Sequence, residues 1–155
     1  MSIPDKKMAA VCGLYCPSCS LYIATREDPA RLEALSRKLG HSPEEMICHG
    51  CGSDRRGIHC RDCRFLACTA EKGIDFCEDC PEFPCEELKV FQTRAPHRSE
   101  LWESFRQRKE LGWEAWSARM EKDYACPGCG TLNSAYDPVC RKCGGIPASA
   151  YGSRH

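Results

Sequence analysis

The sequence lacks the features that mark several large functional classes. Its 155 residues carry 22 basic and 22 acidic side chains, which leaves no net charge to attract nucleic acid or an anionic membrane. No uncharged apolar run approaches the roughly 18 residues that span a bilayer. Lys6 and Lys7 are not followed by the apolar stretch of a signal peptide. We therefore expect a soluble, cytoplasmic protein.

Motifs of the common enzyme classes are also missing. The chain contains no P-loop, no dinucleotide-binding fingerprint, no H-E-x-x-H helix and no G-x-S-x-G elbow. Its five histidines are scattered, and only His49 and His59 adjoin cysteines. These absences identify no catalytic residue and favour a protein that is not an enzyme.

What the chain has in abundance is cysteine, with 15 residues. The same density is typical of a disulfide framework outside the cell and of metal sites inside it. Because the count is odd and no signal peptide is expected, we interpret the cysteines as reduced metal ligands.

The C-terminal cysteines form two C-x2-C pairs, Cys126 with Cys129 and Cys140 with Cys143, separated by ten residues. Two C-x2-C pairs, called knuckles, at this separation are typical of a four-thiolate zinc ribbon. We therefore predict a β zinc ribbon with a closed, structural metal site. Rubredoxin-like iron is the main alternative, since iron binds the same tetrahedron of sulfurs.

The N-terminal block holds the other eleven cysteines and contains an internal repeat. The pattern C-x-D-C-x4-C begins at Cys60 and again at Cys77, an offset of 17 residues. Eleven thiols do not divide by four, so either three sites take one further ligand, His49 or His59, or two sites leave three thiols free. The predicted ligands of about four zinc ions are Cys12, Cys16, Cys19, Cys48, Cys51, Cys60, Cys63, Cys68, Cys77, Cys80, Cys85, Cys126, Cys129, Cys140 and Cys143.

The first three cysteines also permit an iron–sulfur interpretation. Cys12-x3-Cys16-x2-Cys19 has the spacing with which radical S-adenosylmethionine enzymes hold a [4Fe–4S] cluster. Such enzymes surround the cluster with an α/β barrel, which this chain is too short to build. A simpler [4Fe–4S] site completed by a fourth cysteine stays open.

Several helices are predicted by their end signals. Asp28 followed by Pro29 begins a helix that Gly40 ends, and Ser42 begins a short helix with a capping box to Glu45. Pro84 is expected to open a helix that stops at Pro96. One further helix is expected to begin with a cap at Ser99 and another after Gly112. Their three tryptophans are expected to pack on the metal domain as its main apolar side chains.

These elements predict a small α+β protein that is organised by metal. We expect an irregular cysteine-rich domain of short helices over residues 1–95 and a Trp-rich helical connector over residues 96–123. A β zinc ribbon over residues 124–148 and a tail over residues 149–155 complete the chain.

Charged residues are interpreted mainly as solvated faces. One acidic group comprises Glu71, Asp75, Glu78, Asp79, Glu82, Glu86 and Glu87. A basic stretch near the tryptophans comprises Arg94, Arg98, Arg106, Arg108 and Lys109, and it is also the feature that would contact RNA or single strands.

The run Cys12-Gly-Leu-Tyr-Cys16-Pro-Ser-Cys19-Ser-Leu-Tyr-Ile-Ala-Thr-Arg resembles the cysteine-rich proteins grouped as domain of unknown function 3795. The likeness continues through Cys48-His-Gly-Cys51 and the two C-x-D-C groups, and covers about residues 8 to 95. Some members look similar through the connector into a terminal ribbon. The resemblance implies a small, metal-binding cytoplasmic protein without an assigned activity.

Together these observations favour a zinc-binding, non-enzymatic binding or adaptor module with an unknown protein partner. The first alternative is an iron–sulfur or thiol redox protein. The second is a zinc-ribbon protein that binds nucleic acid.

Overall fold

A computed structural model describes residues 3–154, and this part of the chain is helical. It contains nine α-helices joined by turns and four short 3-10 helices at Lys6–Met8, Cys16–Ser18, Cys77–Asp79 and Pro96–Glu100. The outermost residues of the predicted first domain and tail, 1–2 and 155, lie outside the described range. The α-helices are α1 (Ser20–Glu27), α2 (Pro29–Leu39), α3 (Pro43–Met46), α4 (Ile58–Arg61), α5 (Arg64–Lys72), α6 (Glu86–Thr93), α7 (Leu101–Leu111), α8 (Trp113–Tyr124) and α9 (Ala150–Arg154).

The predicted α+β fold with a C-terminal β ribbon is wrong. No strand occurs among residues 3–154, and the ribbon segment shows a single isolated bridge between Ala125 and Leu132. Two backbone hydrogen bonds form this bridge, from the Cys126 N–H to the Thr131 carbonyl at 2.8 Å and from the Asn133 N–H to the Tyr124 carbonyl at 3.0 Å. The Asn133 amide donates to the carbonyls of Thr131 and Ala148, each at 3.1 Å. The Ala148 carbonyl thus has a side-chain partner and needs no strand beside it.

The helix signals read from the sequence are confirmed where a cap is local. Asp28 accepts a hydrogen bond from the Arg31 N–H at the start of α2, and Gly40 ends that helix with φ +74°. Ser42 and Glu45 form the capping box of α3. Ser99, in contrast, does not cap α7, because Ser99 lies within the 3-10 helix that precedes it.

The helices α7 and α8 pack against each other on either side of Gly112, where φ is +83°. Trp116 of α8 is fully buried, and its indole N–H donates to the Ser104 hydroxyl at 3.0 Å. Ser104 donates in turn to the Gly13 carbonyl at 2.7 Å. The predicted connector is therefore packed against the N-terminal segment.

Two apolar clusters form the core, and each takes side chains from distant parts of the chain. The predicted boundaries near residues 95, 123 and 148 stay predictions, and side chains from both sides of them share these clusters. One cluster contains Ala9, Tyr15, Phe76, Trp116, Tyr124 and Tyr151, and the other contains Val11, Cys77, Leu88, Leu101 and Phe105.

A buried ion pair lies beside these clusters. The Arg108 guanidinium donates to both carboxylate oxygens of Glu78, at 2.5 and 2.9 Å, and to the Ala10 carbonyl at 2.6 Å. The two charged side chains are only 1% and 2% exposed. Glu78 therefore departs from the predicted acidic solvated face, while the other six acidic residues of that group are exposed.

Within the described residues, no helix is both long enough and apolar enough to cross a membrane.

Candidate metal centre

Four cysteine sulfurs meet near the C-terminus. The sulfurs of Cys126, Cys129, Cys140 and Cys143 all lie within 4.8 Å of one another. The Cys126–Cys143 and Cys129–Cys140 pairs are each 3.6 Å apart. Zinc–sulfur bonds of about 2.3 Å in a tetrahedron place the sulfurs about 3.8 Å apart. This group can therefore hold one tetrahedral metal ion.

Two equivalent backbone turns position these sulfurs. The N–H of Gly130 bonds to the Cys126 carbonyl, and the N–H of Gly144 bonds to the Cys140 carbonyl, at 2.8 and 2.9 Å. Gly130 and Gly144 have φ of +78° and +73°, a region that favours glycine. The four sulfurs that the C-x2-C spacing singled out therefore lie together, and each turn that holds two of them is local.

Backbone amides also point at the sulfurs. The N–H of Gly128 lies 3.4 Å from the Cys126 sulfur, and the N–H of Lys142 lies 3.5 Å from the Cys140 sulfur. The Gly145 N–H lowers the pKa of Cys143, but the hydrogen bonds shared with the Cys129 and Cys126 sulfurs outweigh it and raise that pKa. A backbone hydrogen bond from Cys143 lowers the pKa of Cys140. Such donors favour the thiolate form, which is the form that binds a metal.

The segment between the knuckles is anchored to α1 and α2. Arg31 of α2 contacts both carboxylate oxygens of Asp137, at 3.0 and 3.3 Å. Arg141 lies 2.7 Å from Glu27 at the end of α1 and donates to the Leu132 carbonyl at 2.9 Å. These contacts hold the segment that carries the four cysteines against the helical body.

The N-terminal cysteines are brought close to one another in a looser arrangement. The Cys51 N–H donates to the Cys16 sulfur at 3.3 Å, which joins the first cysteine group to the Cys48–Cys51 pair. Burial raises the pKa of Cys12 to about 12, and the Cys51 and Cys63 thiols act in the same direction. Thiols in such surroundings stay protonated at neutral pH unless a metal displaces the proton.

The C-terminal group is the only set of three or more Cys, His, Asp or Glu ligand atoms within 4.8 Å among residues 3–154. The grouping of the other predicted ligands stays a prediction. His49 and His59, the predicted additional ligands, are both exposed, and the His59 ring lies edge-on to His41 with centroids 6.0 Å apart.

Lys72 is a residue that the sequence reasoning missed. Its ammonium group lies 3.1 Å from the Cys80 sulfur and 2.6 Å from a Glu82 carboxylate oxygen. The available signal was the spacing of Lys72 from Cys68, four residues earlier on α5, which places both residues on one helix face.

A family model described as "Protein of unknown function (DUF3795)" matches residues 8–90, which is more than half of the chain. The chain belongs to this family. The DUF3795 region contains all eleven N-terminal cysteines, and the four-sulfur group at residues 126–143 lies outside it. The family resemblance is thereby confirmed, whereas a terminal zinc ribbon is not.

Neither the curated proteins nor the solved structures contain a match to this chain.

Proposed function

We propose that Cys126, Cys129, Cys140 and Cys143 bind one structural zinc ion. The observation that carries this proposal is the set of four sulfurs within 4.8 Å of one another. Four thiolates in a tetrahedron suit zinc and leave no coordination position for a substrate or a water molecule. The ion would therefore stabilise the segment rather than catalyse a reaction.

We propose further that this DUF3795 protein is a non-enzymatic binding or adaptor module that acts on a protein partner in the cytoplasm. Its support is the closed site together with the absence of a recognisable catalytic motif in the sequence. A structural zinc ion typically serves to hold a recognition surface in place.

The basic stretch offers little support for nucleic-acid binding. Arg108 is buried against Glu78, and Arg106 is paired with Glu103 and Glu110. Positive charge that is already neutralised within the protein releases few counterions from a phosphate backbone.

Metal content per chain tests the proposal. Protein purified without oxygen is analysed by elemental mass spectrometry, acid-labile sulfide assay and visible absorption. We expect zinc without a visible band, and we expect Cys126→Ser to lose one zinc equivalent. Val139→Ser is the matched control because Val139 is exposed beside Cys140 and supplies no sulfur.

Iron with sulfide in the purified protein, or full zinc content in Cys126→Ser, would contradict the structural-zinc proposal. The adaptor role is tested separately by cross-linking and affinity capture with the wild type and Cys126→Ser. A protein partner retained by the wild type and by Val139→Ser, and lost by Cys126→Ser, supports that role. Metal-dependent turnover of a substrate contradicts it.

A further inference from the structure

A cavity of about 340 Å³ lies between the N-terminal segment, α1, α8 and the segment that carries the C-terminal cysteines. Two aromatic residues, Tyr15 and Tyr22, and two aliphatic residues, Ile23 and Leu132, form part of its wall. Its volume equals that of about eleven water molecules in the liquid, at about 30 Å³ each. Cavities of this size with largely apolar walls are typical of sites for small organic molecules.

The hydroxyl of Ser117 on α8 is buried at this cavity without a partner. Ser117 lines the cavity and is 5% exposed, and its Oγ forms no hydrogen bond within residues 3–154. On α2, by contrast, the Ser36 hydroxyl donates to the Leu32 carbonyl, four residues earlier, at 2.7 Å. Buried polar groups in native proteins are nearly always hydrogen-bonded. An occupant of the cavity can supply the partner of Ser117, since rotation about χ1 redirects the hydroxyl.

The Arg26 guanidinium also has hydrogen-bond donors to offer to an occupant. Its hydrogen bond goes to the neutral Tyr22 hydroxyl, at 2.8 Å. The other arginine of the lining, Arg141, lies 2.7 Å from a Glu27 carboxylate oxygen. A guanidinium has five N–H donors, and a carboxylate accepts two of them in parallel. Arg26 is therefore able to bind the carboxylate of a ligand.

Acidic residues line the same cavity. Asp5, Glu27 and Glu121 form part of the wall together with Arg26 and Arg141. A ligand that carries only negative charge would be repelled by these carboxylates, so a lining with both signs of charge favours a zwitterion. A carboxylate has two oxygens with several lone pairs, and one that already has a partner can accept a further hydrogen bond from an ammonium group.

We propose that this cavity binds a free amino acid with a large apolar side chain. The ligand carboxylate is bound by Arg26, the ligand ammonium by the carboxylates of the lining, and the ligand side chain by the aromatic and aliphatic wall. The Ser117 hydroxyl completes its hydrogen bonding with one of the charged ends of the ligand. This inference adds a small-molecule ligand to the proposed adaptor function and depends on none of the cysteines.

Isothermal titration calorimetry of the full-length protein, purified without oxygen, tests the ligand class. We expect L-phenylalanine to bind with one molecule per chain. Binding is expected to be at least about 10-fold weaker for 3-phenylpropionate, which lacks the ammonium group, and for 2-phenylethylamine, which lacks the carboxylate. Glycine, which lacks the apolar side chain, is expected not to bind. The proposal is overturned if L-phenylalanine, L-tryptophan and L-leucine all fail to bind, or if 3-phenylpropionate binds as tightly as L-phenylalanine.

A substitution of Arg26 tests the location of the site. Arg26→Met is expected to weaken L-phenylalanine binding about 10–100-fold, because the ligand carboxylate loses a charged donor. Arg37→Met is the matched control, since Arg37 is exposed on α2 and pairs with Glu33. Metal content is measured in both variants, so that a loss of metal is not mistaken for a loss of ligand contacts. Equal affinities of the two variants overturn the assignment of this cavity.

Ser117→Ala separates a binding role from a structural one. It is expected to weaken L-phenylalanine binding about 10-fold while the ligand-free protein keeps or gains stability, because an unpartnered buried hydroxyl is removed. Ser36→Ala, which removes the bonded hydroxyl on α2, is expected to bind like the wild type. Wild-type affinity in Ser117→Ala refutes the contact of the ligand with Ser117.

A measurement on the wild type covers the case in which a variant does not fold. Amide NMR signals are followed during titration with L-phenylalanine. The signals of residues 22–27 on α1 and residues 117–121 on α8 are expected to shift together, since both segments line the cavity. Shifts confined to other parts of the chain overturn the proposal.

Discussion

Replacing Arg108 with methionine is expected to be strongly destabilising. The substitution leaves the Glu78 carboxylate buried without its partner and removes the donor from the Ala10 carbonyl. It also removes the guanidinium that lies 3.9 Å from the centre of the Phe76 ring and 4.8 Å from that of Trp116. Breaking a buried ion pair from one side costs about 3–5 kcal/mol. For a chain of this size the loss corresponds to a decrease in Tm of about 6–20 °C.

The assay is urea and thermal unfolding followed by circular dichroism of the helices. Zinc concentration is held fixed, because a metal that binds only the folded state contributes to its stability. Arg106→Met is the matched control on the same helix, since Arg106 is exposed and pairs with Glu103 and Glu110. Exposed pairs contribute about 0–1 kcal/mol, so the control is expected to stay close to the wild type.

A double variant distinguishes the loss of the Arg108–Glu78 attraction from the cost of burying an unpaired Glu78 carboxylate. Arg108→Met combined with Glu78→Leu removes both charges and is expected to be more stable than Arg108→Met alone, because no unpaired carboxylate remains buried. The reasoning is refuted if Arg108→Met unfolds with the same free energy as Arg106→Met, or if the double variant recovers nothing.

Three further predictions concern separate parts of the fold. Burial lowers the pKa of His97 from 6.5 to about 4, so the unfolded chain binds a proton between these values that the folded chain does not. The free energy of unfolding should therefore fall as the pH drops from 6.5 to 4. In urea unfolding, His97→Phe should show a smaller change of this free energy over that pH range; the same change in both proteins would contradict the prediction. Gly13→Ala should lose more free energy of unfolding than Gly40→Ala. Both glycines have positive φ, but of the two only a Cβ at Gly13 would meet a side-chain carbon at 3.0 Å; equal losses would contradict this steric explanation. Arg31→Met removes both hydrogen bonds to the Asp137 carboxylate and should lower the free energy of unfolding by about 1–2 kcal/mol. Amide hydrogen exchange in residues 126–143 should become faster. Unchanged exchange would show that this contact does not anchor the segment.

Local signals predicted local structure well. Asp28 with Gly40, and Ser42 with Glu45, mark the ends of two helices because each cap involves residues within one turn of the helix. The turns that hold Cys126 with Cys129 and Cys140 with Cys143 are local in the same way. The approach of one turn to the other joins sulfurs 11 and 17 residues apart in the chain.

The β ribbon was the main error, because the backbone pairing of this segment stops after a single bridge. The spacing of the two C-x2-C pairs is compatible with a hairpin, and backbone bonds from Cys126 to Thr131 and from Asn133 to Tyr124 do form one antiparallel bridge. The pairing extends no further, and the Ala148 carbonyl accepts from the Asn133 side chain. A spacing pattern cannot show which partner satisfies a backbone group.

By itself, the sequence determined the family, both ends of α2, the capping box of α3 and which four C-terminal sulfurs meet, because these are marked by short motifs. Only the tertiary structure decided that Glu78 and Arg108 form a buried pair across 30 residues and that Lys72 faces Cys80. An acidic run and a basic run look the same in sequence whether they are solvated or paired. Burial is set by packing against distant elements, so it becomes visible only when the chain is folded.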